Sequence, residues 1–133
     1  MHLTVIGDNV IGGTQIEKRN TEKVTFLGWI DHEKLASYYE KCDAVVMPSR
    51  WEAFGLVAVE AMKYGKAVIA SDRGALPELI KNGENGFTFS METRDSLKNV
   101  LDLLDKNQLR QMGYKAEKLF LVIFRRKKCS LEL

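Results

Sequence analysis

Two glutamates eight positions apart, Glu52 and Glu60, bracket the segment of this 133-residue chain with the most chemical potential. Between them run Ala53, Phe54, Gly55, Leu56 and Val57, and ahead of them stand Pro48, Ser49, Arg50 and Trp51. The apolar run Asp43-Ala44-Val45-Val46-Met47 reads as a buried strand entering the segment, and residues 56–64 read as a helix leaving it. A strand, a short loop and a helix N-terminus over the strand end make a holder for phosphate. The loop's free amide N–H groups and the positive end of the helix dipole face the anion. Gly55 lets the backbone approach a ligand and reaches φ angles closed to other residues. Glu60 falls in the second helical turn among Val57, Val59, Ala61 and Met62, so its carboxylate needs polar partners. Ribose hydroxyls would supply them. Glu52, in the loop, is placed to meet a sugar beyond the phosphates. Each feature has a plainer account when taken alone: a turn glycine, a loop charge, a solvated helix carboxylate.

No other group of residues competes with this one. His2 and His32 have no companions at metal-ligand spacing, and no Asp-x-Asp pair is present, so no metal and no cofactor is expected. Cys42 and Cys129 do not make a disulfide framework and read as free thiols of a reducing cytosol. The formal charge of +2 misleads, because residues 1–118 carry 16 Lys and Arg against 17 Asp and Glu. The excess comes from Arg125, Arg126, Lys127 and Lys128, and the body offers no nucleic-acid surface. With 45% hydrophobic and 29% charged residues, the composition is that of one globular domain. No apolar run reaches the roughly 18–20 residues that cross a bilayer, and residues 1–20 show no secretory signal pattern.

The elements that must position the two glutamates follow from hydrophobic period. Apolar, β-branched runs at 3–6, 24–27, 44–47, 67–70 and 87–89 predict five strands covered on both faces. Helical patterns fall between and after them, at 32–42 behind the N-cap candidate Asp31, at 57–64 ending on Gly65, at 76–81 around Pro77, at 95–104 and at 108–119. Alternating strand and helix imply a parallel sheet with right-handed crossovers, whose ligands bind outside the carboxyl ends of the strands.

Several segments in order carry a resemblance. Val5-Ile6-Gly7-Asp8, Val24-Thr25-Phe26-Leu27-Gly28-Trp29, Leu35-Ala36-Ser37-Tyr38-Tyr39, the Glu52-to-Glu60 segment, the run from Ala67 to Gly74-Ala75-Leu76-Pro77-Glu78, and Asn82-Gly83 with Asn85-Gly86-Phe87 keep family-like spacing over residues 3–116. Together they resemble the family 4-type retaining glycosyltransferases of the GT-B fold, specifically their C-terminal, donor-binding domain. The resemblance implies an α/β, Rossmann-like parallel sheet flanked by helices, the C-terminal half of a GT-B fold, N-terminally truncated. It implies binding of a nucleotide-diphosphate sugar, UDP- or GDP-linked, for retaining transfer of a hexose, without a bound metal. Glu52 would be the catalytic-side residue against the transferred sugar. Gly28, Trp29, Phe54, Gly55, Leu56, Val57 and Glu60 would bind the donor, with Gly28 and Trp29 beside the nucleobase. Gly74 and Glu78 read as structural.

The chain departs from the family pattern in two places. A strand with a Gly-Arg motif and a helix followed by Lys, which neutralise the donor pyrophosphate in the family, have no counterpart ahead of residue 3. Residues 119–128, Leu-Phe-Leu-Val-Ile-Phe-Arg-Arg-Lys-Lys, match nothing in the family, where a helix crossing back to the acceptor domain is expected. The expected organisation is therefore an incomplete donor domain at 1–118 and an atypical tail at 119–133. That tail reads first as a degenerate or frame-shifted end and second as a membrane-touching segment. The expected place is the cytoplasm, with the inner membrane face as the lesser reading. An acceptor-domain partner is implied, and the chain alone is expected to be inactive. A non-catalytic nucleotide-sugar binding module, acting as a split-enzyme subunit or regulator, is the alternative.

Overall fold

The computed structural model describes residues 1–7 and 20–131, with side chains through residue 124. The readings of Asp8 and of the Arg125–Lys128 and Cys129 side chains lie outside what is described. The chain divides into two compact units, residues 1–38 and 39–133.

In the first unit, β1 (Leu3–Ile6) pairs in parallel with β2 (Val24–Gly28), Leu3 opposite Val24 and Val5 opposite Phe26. The register shifts between Val5 and Ile6, and Ile6 faces Gly28. His2 fastens the start of the pair, one ring nitrogen meeting the Glu22 carbonyl at 3.1 Å and the other Thr25 Oγ1 at 2.9 Å. Asn20 Oδ1 accepts the Phe26 N–H at 2.8 Å. Helix α1 (His32–Lys41) starts where the sequence puts it, with the Asp31 carbonyl accepting the Leu35 N–H at 3.0 Å.

In the second unit, β3 (Ala44–Met47), β4 (Ala67–Ser71) and β5 (Gly86–Phe89) form a parallel sheet in the order β3-β4-β5. Every residue of the central β4 is fully buried, which is why Ala67-Val68-Ile69-Ala70 reads as an unbroken apolar run rather than an alternation. Helix α2 (Leu56–Lys63) joins β3 to β4, and the short α3 (Leu76–Leu79) leads on to β5. Two helices follow, α4 (Ser96–Asp102) and α5 (Lys106–Leu131). Ala58, Ala61 and Met62 of α2, Leu76 of α3, and Leu109, Met112 and Ala116 of α5 complete the core. Helix α2 ends as its sequence requires. Gly65 takes φ 67° and the Lys66 N–H reaches back to the Ala61 carbonyl at 3.0 Å.

Two of the differences in boundary from the sequence reading have a clear physical cause. Helix α3 stops at Leu79, because Ile80 turns extended and Asn85 takes over the backbone groups, accepting the Lys81 N–H at 2.7 Å and donating to the Leu79 carbonyl at 3.0 Å. Helix α5 does not stop at Leu119 but runs to Leu131, so the apolar stretch is helical. That stretch holds no Gly or Pro, and Phe120 and Phe124 stack four residues apart with centroids at 6.1 Å. Among the described residues no helix is long and apolar enough to cross a membrane.

Candidate functional site

The chain turns from β3 into α2 through residues 48–55, and its neighbours fix that turn from below. Ser71, fully buried at the end of β4, donates its hydroxyl to the Ser49 carbonyl at 2.6 Å. The Ala75 N–H donates to the Glu52 carbonyl at 2.9 Å. Gly74, at φ 59°, lies so close that a Cβ there would overlap the Glu52 carbonyl oxygen. The β4–α3 loop is thus the seat of the Glu52 loop. Gly74, read from sequence as structural, acts on the site through its backbone.

Gly55 is the N-cap of α2, in the left-handed region at φ 66° and ψ 36°. That conformation favours glycine, and a Cβ there would also lie 2.6 Å from Leu79 Cδ1, so the leucine tip would have to move. The Gly55 carbonyl accepts the Val59 N–H at 3.0 Å, the first bond of the helix. Helix geometry therefore leaves the N–H groups of Leu56, Val57 and Ala58 without intrahelical acceptors. No side chain caps them from position 55. Leu56 and Val57 are exposed, as are Phe54 and Trp51 beside them, so an apolar collar surrounds a helix end that carries positive partial charge.

Glu52 and Glu60 differ in their surroundings. Glu52 folds its carboxylate back over the loop, where Oε1 accepts the Gly55 N–H at 3.1 Å. An anionic oxygen thus already lies at the mouth of α2. Glu60 is half-buried one turn further along, and its Oε2 accepts the hydroxyl of Tyr39 at 3.1 Å. Tyr39 is only 7% exposed and stacks nearly parallel on Tyr64, with centroids 5.2 Å apart. Burial, and then the Glu60 charge, push the Tyr39 phenol well above its ordinary range, so it stays protonated and donates. Lys63 Nζ lies 5.9 Å from the centre of the Tyr64 ring. Nearby, burial also raises the Cys42 thiol, whose sulfur contacts the Tyr39 carbonyl at 3.3 Å.

The structure brings Glu52, Phe54, Gly55, Leu56, Val57 and Glu60 into one strand–loop–helix of the second unit. Gly28 and Trp29 belong to the first unit, at the carboxyl end of β2. Gly28, at φ 69°, accepts the Gly7 N–H at 2.7 Å, and Trp29 is 80% exposed. Sequence reading names Tyr39 only within the segment Leu35–Tyr39 and does not place it in the site. The signal was present: a tyrosine buried on an apolar helix face must still satisfy its hydroxyl. Among the described residues no cluster of three His, Cys, Asp or Glu is gathered as for a metal ion.

Comparison with known proteins bears on both units. The model of the family described as glycosyl transferases group 1 matches residues 2–119. An uncharacterized glycosyltransferase of Methanocaldococcus jannaschii is 36% identical over 117 residues, which are 87% of this chain and 33% of that protein. Among solved structures, the C-terminal domain of a glycosyl transferase group 1 family protein from Francisella tularensis superposes with a TM-score of 0.69. It is 33% identical, and the match covers 77% of this chain and 54% of that one. The Anabaena protein HepE, solved in complex with UDP-glucose, gives a TM-score of 0.68 at 28% identity over 84% of this chain and 32% of its own. The chain spans about a third or less of the length of curated relatives that it matches.

Proposed function

The chain belongs to the glycosyl transferases group 1 family, and from that premise we propose that it is the donor-binding part of a glycosyltransferase. Its ligand in this reading is a nucleotide-diphosphate sugar, UDP- or GDP-linked, held for retaining transfer of a hexose to an acceptor bound by another domain. One observation carries the proposal. A single short helix presents uncapped amides at its N-terminus and a fixed, half-buried carboxylate one turn later. That spacing suits a diphosphate followed by a ribose. The similarity to HepE, which was solved with UDP-glucose, supports a donor of this class.

Within the second unit, the proposed roles rest on helix-terminus chemistry and on the family resemblance. The N–H groups of Leu56 and Val57 bind the diphosphate, and they stabilise the negative charge that grows on it as the sugar departs. Gly55 admits the phosphate because no side chain intervenes, and Phe54 walls the loop. Glu60 accepts hydrogen bonds from ribose hydroxyls. Glu52 leaves the Gly55 amide to the ligand and turns its carboxylate toward the transferred sugar. Gly28 and Trp29 are assigned to the nucleobase on the family resemblance. The whole is assigned to the cytoplasm, a place that agrees with the free thiol of Cys42.

Saturation-transfer NMR of the chain with UDP-glucose and GDP-mannose tests this reading. Fast, weak contacts that Glu60→Ala abolishes are expected, with no nucleotide release in the presence of mixed acceptors. Tight binding indifferent to Glu60→Ala would place the donor elsewhere.

A further inference from the structure

We propose that Tyr39 is a positioning residue for the donor site, holding the Glu60 carboxylate in the orientation that reads the ribose. The inference rests on the assignment of Glu60 to the ribose, and its test separates the two. Three observations carry it. The Tyr39 hydroxyl donates to one oxygen of Glu60 at 3.1 Å, across 21 residues of sequence and from a different helix. The tyrosine is itself held, since only 7% of it is exposed and its ring lies flat against Tyr64. Tyr64 is in turn fixed as the C-cap of the helix that carries Glu60, its N–H reaching the Glu60 carbonyl at 3.2 Å. The glutamate is thus gripped by its side chain from α1, and the gripping ring is braced by the end of α2.

The physical need is clear. A glutamate side chain has three rotatable bonds, and freezing them at the moment of binding costs roughly 1–2 kcal/mol of rotamer freedom. A carboxylate already fixed by one strong donor has met part of that cost during folding. The donor must also stay a donor. The buried phenol keeps its proton throughout the neutral range, so the arrangement always offers O–H to carboxylate and never two opposed anions. A tyrosine suits this purpose better than a lysine or arginine, which would neutralise Glu60 and weaken it as an acceptor for hydroxyl groups.

The test compares UDP with 2′,3′-dideoxy-UDP, because the ratio of their affinities isolates recognition of the ribose hydroxyls. The wild-type chain is expected to prefer UDP by about tenfold or more. Tyr39→Phe keeps the ring and its stack, and is expected to bring the ratio to within about twofold while leaving the weaker dideoxy affinity unchanged. In a Glu60→Ala background, Tyr39→Phe is expected to add nothing. If Tyr39 is only part of the core, both nucleotides weaken alike and the ratio persists, which overturns the proposal. If Glu60→Ala itself leaves the ratio intact, the ribose assignment fails first, and with it this inference. Should Tyr39→Phe fail to fold, Tyr64→Leu removes the brace without touching hydroxyl or carboxylate. A lowered ratio there supports the proposal, and an unchanged one overturns it.

Discussion

Gly74 shows how a residue with no side chain shapes a site made of side chains. Its Cβ position is occupied by the carbonyl of Glu52, and its φ of 59° lies in the left-handed region. Two penalties therefore meet in Gly74→Ala: about 1–2 kcal/mol for the backbone conformation and about 1–3 kcal/mol for overlap with a neighbouring backbone. Gly83 provides the internal control, since its φ is 83° but an added Cβ meets open space. Urea denaturation of both variants is expected to show Gly74→Ala losing at least about 1 kcal/mol more than Gly83→Ala. Equal losses would mean that the Glu52 loop yields to its seat. From sequence, the strand–loop–helix that carries the two glutamates and Gly55 was legible, because an apolar run, a turn glycine and a helical pattern follow one another there. The seat was not, because a backbone carbonyl against a distant glycine leaves no trace in local pattern. Tyr39 falls between these cases. Its place in a helix was readable, but its partner was not, since helical periodicity says nothing of which carboxylate lies across a fold.

At the scale of elements, the strands were legible for one physical reason. A parallel strand covered on both faces is a continuous apolar run, and 44–47 and 67–70 are such runs within a residue of the observed β3 and β4. Helix ends followed where a cap was written in the sequence, as with Asp31 before α1 and Gly65 after α2. They failed where none was. Helix α5 continues to Leu131 because no breaker interrupts it, and family spacing had suggested a change of character near 119. The same helix carries a glycine that propensity alone would replace. Gly113 faces Gly65, and a Cβ there would overlap the Gly65 carbonyl oxygen. Alanine in a helix interior gains up to about 1 kcal/mol over glycine, whereas forcing apart two packed backbones costs about 1–3 kcal/mol. Packing is expected to win. Gly113→Ala should lower the thermal midpoint, and a raised midpoint would show that α5 can shift away from the end of α2 at little cost.

At the scale of the whole chain, composition gave the class and little more. An α/β protein with a near-neutral body was readable from charge and hydrophobic pattern, whereas its division into units at 38 and 39 was not, because that boundary falls inside a helix with no break in sequence. The chain also presents large apolar side chains to solvent at Trp51, Phe54, Leu56 and Val57, all around one helix end. Scattered exposed apolar residues need no explanation, but a group of them close in sequence to a helix N-terminus is what a binding site would use. The central claim is that a nucleotide sugar is that ligand and that α2 is where it binds. Amide chemical-shift mapping during titration of the isotope-labelled chain with UDP-glucose tests it most directly. The largest shifts are expected on the amides of Phe54, Gly55, Leu56, Val57 and Ala58 and on Glu60, growing with ligand concentration to saturation. Shifts centred on another part of the second unit, such as α4 or the outer half of α5, with residues 54–60 unmoved, would contradict it.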